Sequence, residues 1–209
     1  MIICMSDILC ITNRSLCKGD FLERIESIAA CRPAGIVLRE KDLPEEEYHV
    51  LAKQVMTICA RYDVPCILHS FADTAIRLHA HDIHLPLPVL RTLTEKQKAA
   101  FSVIGASCHS VDDAIEAQKL GCTYLTAGHV FVTDCKKGLA PRGLDFLQNV
   151  CESVSIPVYA IGGISAHNIA SVRANGAAGA CIMSGLMCCE DPAEMLKNLE
   201  KAGNNDAVS

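Results

Sequence analysis

A polar loop that could carry proton chemistry lies between Gly128 and Gly138. The segment reads GHVFVTDCKKG and directly follows an apolar run, TYLTA at 123–127. An imidazole has an ordinary pKa of about 6.5, so His129 can take up and release a proton near neutral pH. The spacing of the histidines matches no zinc site, and the carboxylates that usually complete a metal site are missing. We therefore predict that His129 is a general acid and base and that the chemistry uses no metal or other cofactor.

Two basic residues, Arg39 and Lys41, lie two positions apart in the segment LREK at 38–41. An extended backbone points both side chains to the same side, where they could clamp a carboxylate or a phosphate. Neutralisation by the neighbouring Glu40 or Asp42 explains the same pattern equally well. This segment alone leaves both interpretations open.

Two glycine-containing motifs towards the C-terminus are suited to binding a phosphate. Gly162 and Gly163 belong to AIGGIS at 160–165, whereas Ser184 and Gly185 belong to MSG at 183–185. Glycines let backbone N–H groups approach an anion, and a helix beginning at Ser184 would add a favourable dipole. Tight packing at strand ends is the alternative explanation. Two such motifs after successive strands favour the phosphate.

The elements that position these residues alternate along the chain. Helical spacing or capping signals mark 21–30, 45–62, 110–121 and 165–176, with Ser110 and Ser165 as predicted N-caps and Gly176 as a stop. Short apolar runs between the helical segments predict eight strands, at 8–12, 35–39, 65–68, 82–85, 102–107, 123–127, 157–162 and 179–183.

This alternation favours an α/β fold in which 1–209 forms a single (β/α)8 TIM barrel, with a polar tail at 201–209 that frays. No GxGxxG motif follows the first strand, which argues against an open dinucleotide-binding sheet. In a barrel, functional side chains gather at the carboxyl ends of the strands. His84 is expected there as a strand histidine that packs or makes hydrogen bonds at the barrel top.

The composition excludes several classes of protein. The chain has 209 residues, a net charge of −5 and 4% aromatic residues, which does not suit a nucleic-acid-binding surface. The 13 cysteines form no Cys-x-x-Cys pair, which indicates reduced thiols in the cytoplasm. The N-terminus lacks the basic segment of a signal peptide and no apolar run reaches 18 residues, so neither secretion nor a membrane span is expected.

Four motifs resemble the thiamine phosphate synthase superfamily, in order and over nearly the whole chain. They are LREK at 38–41, GHVFVTDCKKGLAPRG at 128–143, IPVYAIGGI at 156–164 and GAAGACIMSG at 176–185. The 128–143 segment is most similar to the TenI-type thiazole tautomerases. The resemblance implies a small-molecule thiazole phosphate substrate and, because the family tends to dimerise, a homodimer.

The chain departs from the synthases where they bind metal. The synthases carry Asn-Asp-Arg after strand three and a further Asp after the His-Leu-Gly-Gln of strand four, and these aspartates hold magnesium and pyrophosphate. Here the two sites read His69-Ser70-Phe71 and HLPLPV at 84–89. Magnesium is usually held by carboxylates together with substrate phosphates, so joining a pyrophosphate-activated pyrimidine to a thiazole is poorly supported. TenI-type sequences can retain Asn-Asp at the first site, so the exact substrate stays open.

The resemblance therefore implies a metal-independent tautomerase that aromatises a carboxylated thiazole phosphate. His129 would move the proton. Gly162, Gly163, Ser184 and Gly185 would bind the phosphate, Arg39 and Lys41 would face the ring carboxylate, Thr133 and Lys136 would close over the site, and Ser107 and Ser110 would bind the ring. Two alternatives remain: a thiamine phosphate synthase with an altered metal site, and a non-catalytic regulatory protein that binds the thiazole phosphate.

Overall fold

Eight parallel strands form a closed barrel in the computed structural model, which describes residues 6–204. Each strand pairs with its neighbours in chain order, and the last strand returns to pair with the first. The predicted barrel is confirmed, and every strand boundary lies within one residue of its predicted position. The strands are β1 (Ile8–Ile11), β2 (Gly35–Leu38), β3 (Cys66–His69), β4 (Asp82–Pro86), β5 (Val103–Cys108), β6 (Tyr124–Gly128), β7 (Val158–Ile161) and β8 (Gly179–Ile182).

Helices follow the strands and cover the outside of the barrel. They are α1 (Phe21–Ala30), α2 (Glu45–Arg61), α3 (Ala72–Arg77), α4 (Leu87–Leu90), α5 (Glu95–Lys98), α6 (Val111–Lys119), α7 (Gly143–Ser153), α8 (Ile169–Ala174), α9 (Ser184–Cys188) and α10 (Pro192–Asn204). Short 3-10 turns add Arg14–Leu16 and Asp134–Lys136. None of the helices within residues 6–204 has both the length and the apolar character needed to cross a bilayer.

The predicted N-cap of α8 is wrong. Ser165 does not cap α8, because it lies in a preceding turn in which its N–H donates to Asn168 Oδ1 at 2.9 Å, and Asn168 takes the N-cap position. The stop at Gly176 fits its φ of +88°, a conformation that favours glycine. Residues 201–204, where the predicted frayed tail begins, form the last turn of α10, and the fraying stays a prediction. The rest of the predicted tail, 205–209, and the first five residues lie outside the described part of the chain.

The strands separate two apolar cores because alternate side chains point to opposite faces of the barrel wall. Ile8 and Cys10 of β1 belong to the large cluster packed between strands and helices. Leu9 and Ile11 belong to a smaller cluster that also contains Val37, Ile67, Tyr124 and Cys181. Burying one such aliphatic side chain contributes roughly 1.5–3 kcal/mol. The smaller cluster fills the barrel interior and supports the cavity above it.

Tyr48 of α2 joins the site ends of β2 and β3. Its buried hydroxyl donates to the Leu38 carbonyl at 2.7 Å and accepts from the His69 N–H at 2.8 Å. Burial raises the pKa of Tyr48, so the phenol stays protonated and can make both bonds. The Tyr48 hydroxyl therefore provides hydrogen bonds to the Leu38 carbonyl and the His69 N–H, where the pairing of β2 with β3 ends below the cavity.

Replacing Tyr48 by phenylalanine should leave both backbone groups buried without a partner. We expect Tyr48→Phe to lower the free energy of unfolding by roughly 1–3 kcal/mol, measured by urea denaturation. Tyr62→Phe is the matched control, because the Tyr62 hydroxyl donates to the carboxylate of Glu26 at the surface. Equal losses for the two variants would contradict the proposed bridge.

Candidate functional site

A cavity of about 500 Å³ opens at the carboxyl ends of the strands. All eight strands, or the loops that follow them, contribute to its wall. Representative lining residues, in strand order, are Ile11, Arg39, His69, Pro86, Ser107, Gly128, Gly162 and Ser184. This is the end at which barrel enzymes carry their active sites.

The cavity brings together nearly all of the predicted site residues. Those that line it are Arg39, Lys41, Ser107, His129, Thr133, Lys136, Gly162, Gly163, Ser184 and Gly185. Ser110 is the exception. Its hydroxyl accepts from the Asp113 N–H at 3.0 Å and caps α6, and it does not line the cavity.

Arg39, Lys41 and Lys136 make one side of the cavity electropositive. The three residues line the same cavity, and desolvation lowers the pKa of Lys41, with further lowering by the positive charges of Arg39 and Lys136. None of the three forms an ion pair with a described acidic residue. An anionic ligand would relieve their mutual repulsion.

Glu40 and Asp42 do not neutralise Arg39 or Lys41, contrary to the alternative interpretation of the sequence. Glu40 is buried, accepts from the Thr12 hydroxyl at 2.6 Å and the Arg14 N–H at 3.0 Å, and pairs with the Arg14 guanidinium. Asp42 also pairs with Arg14, at 2.7 Å. Sequence reasoning missed this role of Arg14, because no local motif connects positions 14 and 40.

The same network fixes the backbone of the basic segment. The Thr12 hydroxyl, which donates to Glu40, accepts from the Arg39 N–H at 2.9 Å. The carboxylate of Glu40 therefore holds β1 and the end of β2 in a fixed arrangement, while its neighbours in the chain face the cavity. Glu40 thus has a structural role, whereas the charges of Arg39 and Lys41 remain available to a ligand.

His129 follows β6 and is 6% exposed, so it lies in the cavity wall under the loop. Its Nε2 lies 3.4 Å from the carbonyl oxygen of Leu139. A carbonyl can only accept, so a neutral ring in this contact carries its proton on Nε2 and keeps a lone pair on Nδ1. Nearby, His109 Nδ1 donates to the Gly128 carbonyl at 2.9 Å and thereby supports the peptide that carries His129.

The glycines after β7 allow the loop after β6 to pack closely. A Cβ at Gly162 would lie 2.4 Å from the Cβ of His129, and one at Gly163 would lie 2.4 Å from the Val132 carbonyl oxygen. Both glycines have positive φ, at +100° and +67°. The packing explanation of these glycines therefore holds, and since both also line the cavity, the phosphate prediction stays a prediction.

Two buried histidines lie side by side, His69 at the end of β3 and His84 in the middle of β4. The rings of His69 and His84 stack with centroids 5.7 Å apart. Burial lowers the pKa of His69 to about 2, with further lowering by His84, Lys41 and Arg39. Burial likewise lowers the pKa of His84 to about 3, with Lys41 and Arg39 as lesser causes. Both imidazoles are therefore neutral at neutral pH.

The donors around the cavity do not suit a magnesium ion. Within residues 6–204, no three side chains of histidine, cysteine, aspartate or glutamate converge as a metal site would require. Asp113 is the one carboxylate among the described lining residues, and it already accepts from the His109 N–H at 2.8 Å. Magnesium prefers carboxylate oxygens, whereas β3 and β4 offer the neutral imidazoles of His69 and His84.

Comparison with known proteins gives a consistent result. The family model for thiamine monophosphate synthase matches residues 8–186. The thiamine-phosphate synthase of Caldivirga maquilingensis is 38% identical over 151 residues, covering 72% of this chain and 74% of that protein. That of Syntrophomonas wolfei is 34% identical over 188 residues, covering 87% and 88%. The solved thiamine phosphate pyrophosphorylase from Pyrococcus furiosus has a TM-score of 0.81 and 29% identity, with 98% of each chain covered.

The neutral histidine pair should make stability depend on pH. The pKa values of His69 and His84 are depressed in the folded state, so below about pH 6.5 the unfolded chain binds more protons than the folded chain. Their stabilising contribution is complete above pH 6.5 and declines as the pH falls towards 3. We expect a loss of roughly 1 kcal/mol per pH unit for each histidine between pH 6 and 4.

Urea denaturation across this pH range measures the effect. His69→Gln and His84→Gln should each reduce the slope of unfolding free energy against pH by about one proton, whatever their stability at pH 8. Slopes that coincide with the wild-type slope would contradict neutral, buried imidazoles.

Proposed function

The chain belongs to the thiamine monophosphate synthase family, and from this premise we propose that it is a thiazole tautomerase. Its reaction would be the metal-independent aromatisation of a carboxylated thiazole phosphate. The observation that carries the proposal is His129, a buried imidazole in the wall of a cavity whose nearby cations have no acidic partner among the described residues.

A tautomerisation needs a group that both accepts and returns a proton. The neutral imidazole of His129 would take a proton from one ring carbon, become an imidazolium, and return the proton to a carbon outside the ring on the same face, which leaves the ring aromatic. Substrate and product are isomers, so no further reactant is consumed. An imidazole suits both halves of this transfer, because one ring nitrogen can accept a proton while the other donates one. The Leu139 carbonyl beside Nε2 supports Nδ1 as the basic atom.

The remaining lining residues support a substrate with two anionic groups. Arg39 and Lys41 would bind the ring carboxylate, and Lys136 would approach from the loop at 133–139. The phosphate would lie against Gly163 and the first N–H groups of α9, including those of Ser184 and Gly185, which have no partner within their own helix. Binding both anions would fix the ring over His129, and such positioning is itself a large part of catalysis.

Thiamine phosphate synthase activity is the second candidate, and the names of the relatives favour it. Both sequence relatives described above, and the similar solved structure, are named for that reaction. Against it stands the donor set at the ends of β3 and β4, which offers a magnesium pyrophosphate no carboxylate from His69, Ser70 or Pro86–Pro88. Residues and names thus favour different members of one family.

Substituting His129 tests the tautomerase directly. We expect His129→Asn to slow aromatisation by about 10²–10⁴-fold, because general acid–base catalysis contributes about that factor. The carboxylated thiazole phosphate would be generated by a thiazole synthase, and formation of the aromatic tautomer would be followed spectroscopically. His79→Asn is the matched control: His79 is exposed and outside the cavity, and its φ of +54° suits asparagine.

A second assay separates the two candidates. The wild-type chain is incubated with the pyrimidine pyrophosphate, the thiazole phosphate and magnesium, and thiamine phosphate is measured by chromatography. Rapid formation of thiamine phosphate, with an unchanged aromatisation rate in His129→Asn, would replace the tautomerase by the synthase. Binding of the thiazole phosphate with neither reaction would instead favour a regulatory protein.

A further inference from the structure

A chain of hydrogen-bonded side chains runs from the barrel interior to the cavity. The Tyr124 hydroxyl lies 2.9 Å from His84 Nδ1, and His84 Nε2 lies 2.9 Å from the Ser107 hydroxyl. The Thr126 hydroxyl lies 3.4 Å from that of Ser107. Tyr124 and His84 are buried, whereas Ser107 is partly exposed and lines the cavity. The chain of contacts therefore ends at a group that a ligand can touch.

The direction of these hydrogen bonds follows from the innermost member. Burial raises the pKa of Tyr124 well above its ordinary value, so its hydroxyl keeps its proton. His84 Nδ1 is the one hydrogen-bond partner of that hydroxyl among residues 6–204. A buried O–H donor that lacks an acceptor costs roughly 1–3 kcal/mol. The Tyr124 hydroxyl therefore donates to Nδ1.

The tautomer of His84 then fixes the direction of the next hydrogen bond, between Nε2 and Ser107. The neutral imidazole of His84 has one donor and one acceptor nitrogen, so with Nδ1 accepting, Nε2 carries the proton. Nε2–H donates to the oxygen of Ser107, and the Thr126 hydroxyl donates to the same oxygen. Both lone pairs of the Ser107 hydroxyl are then engaged. The Ser107 hydroxyl can therefore make one further hydrogen bond, as the donor through its O–H.

Gly105 shows that the close Tyr124–His84 contact is built into the fold. A Cβ at Gly105 would lie 2.2 Å from Cζ of Tyr124 and 2.5 Å from Nδ1 of His84. Any other residue at this position of β5 would push the two rings apart. The absence of a side chain here lets the backbone pack directly against the pair.

We infer that Tyr124 and His84 are positioning residues that hold the Ser107 hydroxyl as an obligatory hydrogen-bond donor towards the cavity. The ligand must then present an acceptor over β5, either an unprotonated ring nitrogen or a carboxylate oxygen. A ligand with an N–H at this place would set its own donor against the O–H donor of Ser107, which disfavours its binding. The identity of the ligand as a thiazole phosphate rests on the proposed function, but the polarity of Ser107 does not.

The first test measures the tautomer of His84 in the ligand-free protein. Nitrogen-15 NMR of histidine-labelled protein distinguishes protonated from unprotonated ring nitrogens, and the signals of His84 are identified by their loss in His84→Gln. We expect a proton on Nε2 and none on Nδ1. A proton on Nδ1, or a mixture of the two tautomers, would overturn the inference without bearing on the reaction catalysed.

The second test asks whether Tyr124 acts on a ligand through Ser107. Affinities for the thiazole phosphate are measured by calorimetry in Tyr124→Phe, Ser107→Ala and the double variant. We expect Ser107→Ala to weaken binding about ten-fold, as for a lost hydrogen bond. Tyr124→Phe should weaken binding several-fold in the wild-type background and have no effect once Ser107 is alanine.

Tyr159→Phe is the matched control for Tyr124→Phe. Tyr159 packs edge-on against Tyr124 with ring centroids 5.8 Å apart, and its hydroxyl makes no hydrogen bond to the described residues. Its substitution should leave the affinity unchanged. Equal losses in Tyr124→Phe and Tyr159→Phe, or full additivity of Tyr124→Phe with Ser107→Ala, would assign Tyr124 a packing role only and contradict the inference.

Discussion

The pairing of β8 with β1 is the constraint on which the site depends. Leu9 of β1 is aligned with Gly35 on one side and with Cys181 on the other, so β1 has no free edge. In a closed ring of parallel strands, all carboxyl ends face the same opening. Residues as distant in sequence as Arg39 and Ser184 therefore line one cavity. Closure also leaves an interior packed with apolar side chains, which gives the cavity a firm floor.

Charge separation is the second organising feature of this opening. Arg14 takes up both acidic residues that flank Lys41, so the cations that face the cavity stay without local compensation. Holding Arg39, Lys41 and Lys136 at one cavity is unfavourable because like charges repel; the two other cations add to the lowering of the Lys41 pKa that desolvation mainly causes. The buried network around Glu40 fixes the backbone that carries Arg39. Much of that repulsion is released when an anion binds, which favours binding of a charged ligand over an empty site.

The strands could be predicted from sequence to within one residue, because parallel strands buried on both faces read as short apolar runs. The start of α8 was harder to predict, because Ser165 is suited both to a helix cap and to a turn. It forms a turn with Asn168, and α8 begins after Asn168. Contacts between residues that are distant in the chain could not be predicted from the sequence. Nothing local indicates that Glu40 turns towards Arg14, or that Tyr124 meets His84 forty residues earlier. These contacts depend on strand register and on side-chain direction, which only the closed barrel fixes.

The charge of the opening, more than its shape, distinguishes the two reactions considered for this family member. A synthase that binds pyrophosphate through magnesium needs carboxylates, because the cation must be attracted before it can bridge protein and substrate. In this chain β3 and β4 carry neutral, stacked imidazoles instead, beside cations without acidic partners in the described chain. This chain lacks the metal-binding aspartates of the synthases, so basic side chains predominate around the opening. Such a charge suits direct binding of an anion and opposes binding of a metal ion. Under the proposed function, the same barrel would change from metal-bridged to direct recognition through residues on β3 and β4, while the loop that carries His129 would supply the proton carrier.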